Sequence, residues 1–213
     1  DFRSVDGLYH MKYKYPPETI ISHSFFVSQT EEFYRFYKDK MLFEDAKPNA
    51  AHLALAKLEE MGKLKAVVTQ NIDGLHQEAG NKTVYELHGS VLRNYCMRCG
   101  RQYPADSIYD SEGVPRCQCG GLVRCDVTLY GEQLPSGAAE GAIRSISRAD
   151  LLIIGGTSLS VYPAASFIEY YRGQRLALIN KEHISLPRLR AGSLLELNAP
   201  IGEAFELLSV EKG

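Results

Sequence analysis

The chain has 213 residues, 45% of them hydrophobic and 23% charged, and its 24 basic side chains nearly balance 26 acidic ones. These values are ordinary for a globular protein and exclude a disordered, collagen-like or disulfide-scaffold chain. The near-neutral charge gives no general attraction to nucleic acid or anionic lipid, so we expect no direct nucleic-acid partner. No apolar run approaches the ~20 residues that span a bilayer, and the amino terminus has no signal pattern. We therefore expect no membrane association and a cytoplasmic location.

Helix and strand patterns alternate along most of the chain. Apolar residues at helical spacing predict helices over residues 30–41 and 48–61, and Gly62 ends the second. A strand is predicted over residues 64–69, followed by helical character at 74–79. Further strands are predicted over residues 149–154, 175–180 and 193–197, with helices over residues 164–171 and from Gly202 onward. This alternation predicts the α/β class, with a doubly wound, parallel, Rossmann-like sheet.

The alternation breaks between residues 96 and 125, where all five cysteines lie. Cys96 and Cys99 form a C-x-x-C-G turn, and a second pair, Cys117 and Cys119, has only one residue between its members. Two such turns supply the tetrahedral four-sulfur shell that zinc prefers, and a filled shell makes the metal structural. We predict zinc on these four cysteines. The spacing leaves open whether Cys125 replaces one of the second pair, and free or disulfide-bonded thiols are the alternative.

Polar and small residues follow the predicted strands, where open α/β sheets bind their ligands. Residues 69–76 place two amides and a carboxylate after a strand, with helix capping as the alternative. Residues 156–163 let a backbone approach a phosphate, although they lack the full G-x-G-x-x-G pattern. Asn180 ends another strand and either meets a ribose hydroxyl or makes a turn. His88 is a candidate general base, because an imidazole has a pKa of about 6.5, or else a structural histidine.

The chain resembles sirtuins over essentially its whole length, and it is most similar to the short bacterial members. The resemblance rests on motifs that occur in the family's order: Asp1-Phe2-Arg3-Ser4, Gln70-Asn71-Ile72-Asp73-Gly74-Leu75-His76, His88-Gly89-Ser90, the cysteine segment, Tyr130-Gly131-Glu132 and Gly156-Thr157-Ser158-Leu159. Two departures stand out. The family's G-A-G-x-S turn, which precedes the segment matching Asp1, is not among the 213 residues, so we expect part of the diphosphate cradle to lie outside them. Cys125 occupies a position where related sequences usually have proline, which supports leaving it out of the zinc shell.

The resemblance implies an NAD-dependent protein lysine deacetylase. Such an enzyme transfers the acetyl group of acetyl-lysine to ADP-ribose and releases nicotinamide, so the implied cofactors are NAD and structural zinc and the implied partners are acetylated protein lysines. Carried over residue by residue, His88 deprotonates a ribose hydroxyl, Asn71 orders ribose or water, and Asp73 holds the nicotinamide carboxamide. The implied cofactor contacts are Phe2, Arg3, Gln70, Asn71, Ile72, Asp73, Gly156, Thr157, Ser158, Asn180, Lys181 and Ile201. The peptide is expected to lie extended and to pair its backbone with two segments. These are Leu129, Tyr130, Gly131 and Glu132 on one side and Ser160, Val161 and Tyr162 on the other.

Domain organisation and rival functions follow from the same reading. The predicted Rossmann-like domain comprises residues 1–15, 46–95 and 126–213, and a smaller module combines a helical part, residues 16–45, with a zinc-binding part, residues 96–125. Tyr34 and Tyr37, on the predicted helix over residues 30–41, match positions that meet the acyl carboxylate in sirtuins preferring succinyl- or malonyl-lysine. Packing on the helix face is the alternative. Mono-ADP-ribosyl transfer to a protein at the same NAD site is the rival activity. A non-enzymatic NAD-sensing or zinc-knuckle interaction module is the other alternative.

Overall fold

A computed structural model describes residues 13–42, 45–184, 186 and 192–206. The predicted cofactor contacts of Phe2 and Arg3 therefore lie outside the described residues. In chain order the elements are α1 (Pro17–Ile20), α2 (His23–Ser28), α3 (Thr30–Lys40), α4 (Ala50–Glu60), β1 (Val67–Thr69), α5 (Leu75–Ala79), β2 (Val84–Glu86), β3 (Gly89–Cys96), β4 (Gln102–Tyr103), α6 (Asp106–Tyr109), β5 (Val123–Val127), α7 (Ser136–Arg148), β6 (Leu151–Gly155), a 3₁₀ helix (Ala164–Tyr170), β7 (Arg175–Asn180), β8 (Ser193–Asn198) and α8 (Ile201–Glu206). No helix in the described part of the chain is long and apolar enough to cross a membrane.

The chain divides into two compact units, each built from separate stretches of sequence. The cysteine unit comprises Asp1–Asp45, Asn71–Gly74 and His88–Gln133. The parallel unit comprises Ala46–Gln70, Leu75–Leu87 and Leu134–Gly213. Asn71–Gly74 and the strand after His88 therefore belong to the same compact unit as the cysteines. The predicted domain boundaries, which follow the Rossmann-like sheet instead, stay a prediction.

An antiparallel sheet and an aromatic core form the cysteine unit. The sheet has the order β4-β3-β5, and its register shifts between Ser90, which pairs with Asp126, and Asn94, which pairs with Cys125. This shift is a β-bulge. Helices α1 to α3 supply the core side chains, of which the most deeply buried are Ile20, Phe26, Phe33, Tyr34, Phe36 and Tyr37.

Tyr34 and Tyr37 belong to this core rather than to an open pocket, since their exposed fractions are 1% and 0%. The Tyr34 hydroxyl donates a hydrogen bond of 2.6 Å to the Val123 carbonyl, and its ring packs edge-on against Phe33. The structure therefore supports packing on the helix face, the alternative to acyl contact.

Parallel strands and covering helices form the parallel unit, as the alternation of elements predicts. Strands β1 and β2 make one parallel sheet and β6, β7 and β8 another. Successive residues of β6 point to opposite faces: Leu152 packs with α7 and the 3₁₀ helix, and Ile153 packs with α4 and α8. The sheet is thus covered on both sides, which is the doubly wound arrangement.

Most periodic elements of this unit are confirmed within two or three residues, including α4, β7 and β8. Three results differ from sequence analysis, and one of them is strand β2, which was not predicted. Residues 164–170 form a 3₁₀ helix rather than an α-helix, and α7 was not predicted at all. Its sequence, SGAAEGAIRSISR, holds two glycines and four serine or arginine residues after them, so its apolar stripe is thin. Tertiary packing compensates, because Ala142 is fully buried and a Cβ added to Gly141 would lie 2.1 Å from the Tyr85 ring.

Candidate active site and metal centre

Four cysteine sulfurs converge in the cysteine unit. The Sγ atoms of Cys96, Cys99, Cys117 and Cys119 all lie within 4.8 Å of one another. Two of the separations, Cys96 to Cys119 and Cys99 to Cys117, are 3.5 and 3.6 Å. A zinc ion bound tetrahedrally at 2.3 Å needs sulfurs about 3.8 Å apart, so this donor set fits the metal. Cys125 lies outside the cluster, fully buried in β5.

The surroundings of the four sulfurs favour metal binding. The N–H groups of Arg98 and Cys99 point at the Cys96 sulfur at 3.4 and 3.5 Å. A hydrogen bond from the Cys119 N–H, followed by one from the Tyr103 hydroxyl, lowers the pKa of Cys117 to about 6. The bond from the Gly121 N–H lowers the pKa of Cys119, but the bonds with Cys117 and Cys96 outweigh it and raise that pKa to about 11. A lowered pKa favours the thiolate, which is the form that binds zinc. A Cβ added to Gly121 would lie 2.7 Å from the Cys96 sulfur, so this position needs glycine.

The strand that follows His88 also holds the predicted nicotinamide loop. Both belong to the cysteine unit. The Val91 N–H donates to the Ile72 carbonyl at 3.0 Å, and the Ser90 hydroxyl approaches the same oxygen at 3.4 Å. Because Ile72 lies between Asn71 and Asp73, these bonds fix the middle of the loop against β3. Asn71 is exposed, whereas Asp73 and His88 are half-buried.

Gly89 explains why the histidine is followed by glycine. Its φ of +74° lies in the left-handed region, and a Cβ at this position would come 1.9 Å from the Asp126 carbonyl oxygen. Only glycine tolerates both constraints. The His88 carbonyl in turn accepts a 2.9 Å hydrogen bond from the Thr128 N–H. The backbone at His88 is therefore held by Thr128, the residue that follows β5.

In the parallel unit, several predicted cofactor residues meet where β6 and β7 end. The Gly156 N–H donates to the Ile179 carbonyl at 3.1 Å. A Cβ on Gly155 would lie 2.4 Å from the Ile201 side chain, so the glycine allows close approach of α8. Asn180 ends β7, and its amide donates to the Glu182 carbonyl at 2.8 Å, so it makes the turn that sequence analysis gave as one alternative. The structure thus brings Gly156, Asn180 and Ile201 to the carboxyl edge of the sheet, where ligands of such sheets bind.

The other predicted cofactor residues of this unit follow β6, β7 and β1 along the chain. The Thr157 hydroxyl accepts a 3.1 Å hydrogen bond from the Leu159 N–H, and the hydroxyls of Ser158 and Ser160 are 2.7 Å apart. Lys181 is exposed. Gln70 belongs to the parallel unit as well, at the end of β1.

The two predicted peptide segments each expose an aromatic side chain. Tyr130 is 39% exposed and Tyr162 is 66% exposed. Gly131 has a φ of +90°, and a Cβ added there would meet no described atom within 4 Å. Leu129 is buried, at 2% exposed, so it can offer a ligand only its backbone. The Val161 carbonyl accepts a hydrogen bond from the Ala165 N–H at 2.9 Å.

Sequence analysis missed two side chains beside the first of these segments. Arg124 and His23 both contact the Glu132 carboxylate. Arg124 had no distinctive signal, since it takes an intermediate position in the alternating burial pattern of β5, as Asp126 does. His23 had none, because 109 residues separate it from Glu132.

Comparisons with known proteins agree on one family. The model of the Sir2 family matches residues 1–163. An "NAD-dependent protein deacetylase" of Clostridium acetobutylicum is 58% identical over 185 residues, which cover 85% of this chain and 76% of that protein. One with the same description from Clostridium tetani is 53% identical over 217 residues, which cover 100% of this chain and 87% of that protein.

Solved structures give the same result. A structure described as "Sir2-p53 peptide-NAD+" is 41% identical, with a TM-score of 0.81, and the match covers 92% of this chain and 83% of that one. Another, "Sir2 bound to acetylated peptide", is 40% identical, with a TM-score of 0.80, covering 91% of this chain and 83% of that one.

Proposed function

The chain belongs to the Sir2 family, and from this premise we propose that Asn71, Asp73 and His88 carry out the chemistry of an NAD-dependent protein deacetylase. The enzyme transfers the acetyl group of acetyl-lysine to ADP-ribose and releases nicotinamide. NAD binds at this chain's Rossmann-like sheet, and zinc is held by the four clustered cysteines. The observation that supports the site best is the bond from Val91 to Ile72, because it ties the nicotinamide loop to the strand that begins one residue after His88.

When bound, NAD would supply an electrophilic ribose carbon for attack by the acetyl-lysine carbonyl oxygen as the bond to nicotinamide breaks, together with the ribose hydroxyls that receive the acetyl group. The Asp73 carboxylate accepts hydrogen bonds from the carboxamide NH₂ and so orients the leaving group. The Asn71 amide orders the ribose or a water molecule beside it, and Gln70 contacts the ribose. Such positioning lowers the barrier by fixing the reacting groups before the reaction starts.

His88 accepts the proton of a ribose hydroxyl, so that the hydroxyl oxygen can attack the acyl carbon. Imidazole suits this step because its ring can accept and release a proton under mild conditions. Gly89 and the bond from Thr128 hold the histidine backbone in place. The base therefore has little conformational freedom to lose when substrate binds.

On the parallel unit, Gly156, Thr157, Ser158, Asn180, Lys181 and Ile201 hold the diphosphate and adenosine side of NAD. Glycines at the end of β6 let the dinucleotide approach the backbone closely. Phe2 and Arg3 complete the cofactor contacts. Acetylated protein is the partner, and its peptide pairs with the backbone of residues 129–132 and of residues 160–162. Because backbone pairing does not depend on side-chain identity, the site accepts acetyl-lysine in many sequences.

The cytoplasm is the compartment that we propose. A four-cysteine zinc shell requires reduced thiols, and a reducing compartment keeps them so. No direct nucleic-acid partner is expected, because the 24 basic and 26 acidic side chains nearly cancel.

The test is a product analysis with an acetylated peptide, the same peptide without the acetyl group, and NAD. We expect nicotinamide release only with the acetylated peptide, and mass spectrometry should find deacetylated peptide together with acetyl-ADP-ribose. A peptide or enzyme that gains the mass of ADP-ribose would instead show the rival mono-ADP-ribosyltransferase. Absence of nicotinamide release under all conditions would indicate a non-enzymatic NAD-sensing module.

A further inference from the structure

The Glu132 carboxylate has three donors around it. The Arg124 guanidinium donates to one oxygen at 2.6 Å and also contacts the other. The Leu129 N–H donates at 2.9 Å, and the His23 ring nitrogen lies 2.7 Å away. The Arg124 and Glu132 side chains are only 12% and 17% exposed. Burial opposes ionisation of Glu132, but the bonds from Arg124, Leu129 and His23 outweigh it, and the pKa of the carboxyl is lowered.

The Glu132 side chain and backbone together close a short hydrogen-bonded ring with Leu129. The Glu132 N–H donates to the Leu129 carbonyl at 3.0 Å, while the Glu132 side chain accepts from the Leu129 N–H. Both backbone groups of Leu129 are therefore used inside the segment. The turn at Gly131, with its φ of +90°, is held from both ends.

Residues 21–23 pair with the same segment at its next residue, Tyr130. The Tyr130 N–H donates to the Ile21 carbonyl at 3.0 Å, and the His23 N–H donates to the Tyr130 carbonyl at 2.9 Å. Ser22 and Tyr130 thus form a parallel bridge. Leu129 and Tyr130 already use these backbone groups, and the Thr128 N–H bonds to the His88 carbonyl. A peptide that pairs with this segment is therefore left mainly with the Thr128 carbonyl and Gly131, on the two sides of the ring.

The same segment is joined directly to the proposed base. Strand β5 ends at Val127, which pairs with Gly89, and the next residue, Thr128, bonds to the His88 carbonyl. Thr128, which bonds to His88, is therefore adjacent in sequence to Leu129, the first residue of the ring that Glu132 closes. A change in the ring therefore alters where the peptide lies relative to the histidine backbone.

We propose that Glu132 is a positioning residue for the acetylated peptide, and that its side chain, rather than only its backbone, sets the shape of residues 128–131. Arg124 keeps the carboxylate ionised and oriented, and His23 covers it from the solvent side. The Glu132 side chain acts through the segment and does not touch the reacting atoms. This inference rests on the deacetylase function proposed above, since it assumes that residues 128–132 bind a peptide.

The test compares binding of a fluorescein-labelled acetyl-lysine peptide, measured by anisotropy, with the KM for NAD. In Glu132→Ala we expect the peptide Kd to rise about tenfold or more, because hydrogen bonds to a charged group are lost. The KM for NAD should stay within about twofold. Glu132→Gln keeps an acceptor for the Leu129 N–H and should show a smaller rise. Glu112→Gln is the matched control, since Glu112 is exposed in the same unit, and it should behave as wild type.

Glu132→Ala leaves the Arg124 charge buried and unpaired, so a second variant separates positioning from stability. Replacing both partners of a buried ion pair by apolar residues usually restores stability. The double variant Arg124→Met with Glu132→Met should therefore unfold near the wild-type temperature and still bind peptide weakly, since the acceptor for Leu129 is missing.

Three outcomes overturn the inference. One is an unchanged peptide Kd in Glu132→Ala. Another is recovery of peptide affinity together with stability in the double variant, which would show that Glu132 only stabilises the fold. The third is a wild-type protein that fails to bind the acetylated peptide, and this result, unlike the other two, overturns the proposed function as well.

Discussion

The cysteine unit and the parallel unit are stabilised in different ways. The parallel unit distributes its stability over aliphatic side chains of β6, β7 and the helices on both faces. The cysteine unit depends on one aromatic core, a four-sulfur cluster and a few glycines that no other residue can replace. All three residues proposed to carry out the chemistry, Asn71, Asp73 and His88, are held by the second kind of structure. The proposed catalytic residues therefore lie where the backbone position depends on a few contacts that substitution would remove.

Loss of a zinc ligand should have the largest effect. Cys119→Ser should lose zinc and unfold the cysteine unit, because binding of a structural zinc contributes roughly 10 kcal/mol or more to folding. Hydrogen exchange followed by mass spectrometry should show fast exchange over residues 88–133 and retained protection in β6 and β7.

Cys125→Ser is the control for this variant. Cys125 lies outside the sulfur cluster, so the zinc content should remain at one ion per chain. Zinc that survives in Cys119→Ser but is lost in Cys125→Ser would show that the ligand set is wrong. Equal loss of protection in both units would show that the parallel unit depends on the metal too.

The next largest effect concerns catalysis rather than stability. His88→Ala should lower kcat for deacetylation by about 10²- to 10⁴-fold, as expected for loss of a general base. The zinc content should not change, because the bond from the Thr128 N–H to the His88 carbonyl is kept, and the unfolding temperature checks that the fold is retained. His183→Ala, an exposed histidine of the parallel unit that bonds to Glu196, should retain activity. Full activity in His88→Ala would sink the assignment of the base.

Two glycines, one in each unit, have similar φ values but different surroundings. Gly62 has a φ of +71° and no described neighbour within 4 Å of an added Cβ, whereas Gly89 has a φ of +74° and the Asp126 oxygen at 1.9 Å. Gly62→Ala should cost about 1 kcal/mol from backbone strain alone. Gly89→Ala should cost about 3 kcal/mol or more, because the backbone of β3 or β5 must move as well. Urea unfolding of both variants measures the difference, and equal costs would contradict the expected difference.

The smallest predicted effect is an acid dependence in the parallel unit. The Glu59 carboxylate accepts bonds from the Asn81 amide and from the Lys82 and Thr83 N–H groups at 2.8, 2.8 and 2.9 Å. Burial works against ionisation, but these bonds outweigh it and lower the pKa of Glu59. Because the folded pKa is depressed, this stabilisation is present above the ordinary value of 4.5 and is lost as the pH falls through the folded value.

Glu59→Gln should therefore cost about 1 kcal/mol at pH 7, and the difference from wild type should shrink below about pH 4. Its neighbour Glu60, whose side chain is 70% exposed and pairs with Lys57, provides the control. Glu60→Gln should cost less than about 0.5 kcal/mol. A cost for Glu59→Gln that does not change between pH 7 and pH 3 would show that the carboxylate charge plays no part.

Local pattern was a good guide where an element carries its own signal. The apolar period of α4 and the apolar run of β6 predicted both elements, because packing of one helix face, or of a strand between two layers, favours those patterns. Helix α7 escaped prediction for the opposite reason: its glycines and serines carry little helical signal, and the contact of Gly141 with Tyr85 supplies what the local sequence lacks. The β-bulge after Ser90 gave no signal either, since it depends on the register with β5.

The sequence by itself determined the α/β class, the order of the motifs and the four cysteines whose spacing suits zinc, because each of these depends on neighbours along the chain. Only the tertiary structure decided that Cys125 pairs with Asn94 inside a sheet while Cys119 meets Cys96 across 23 residues. It also decided that Arg124 and His23 converge on Glu132, and that the strand after His88 holds Ile72. These contacts join residues that are distant in sequence, so they form only when the chain has closed around its core and no local pattern announces them.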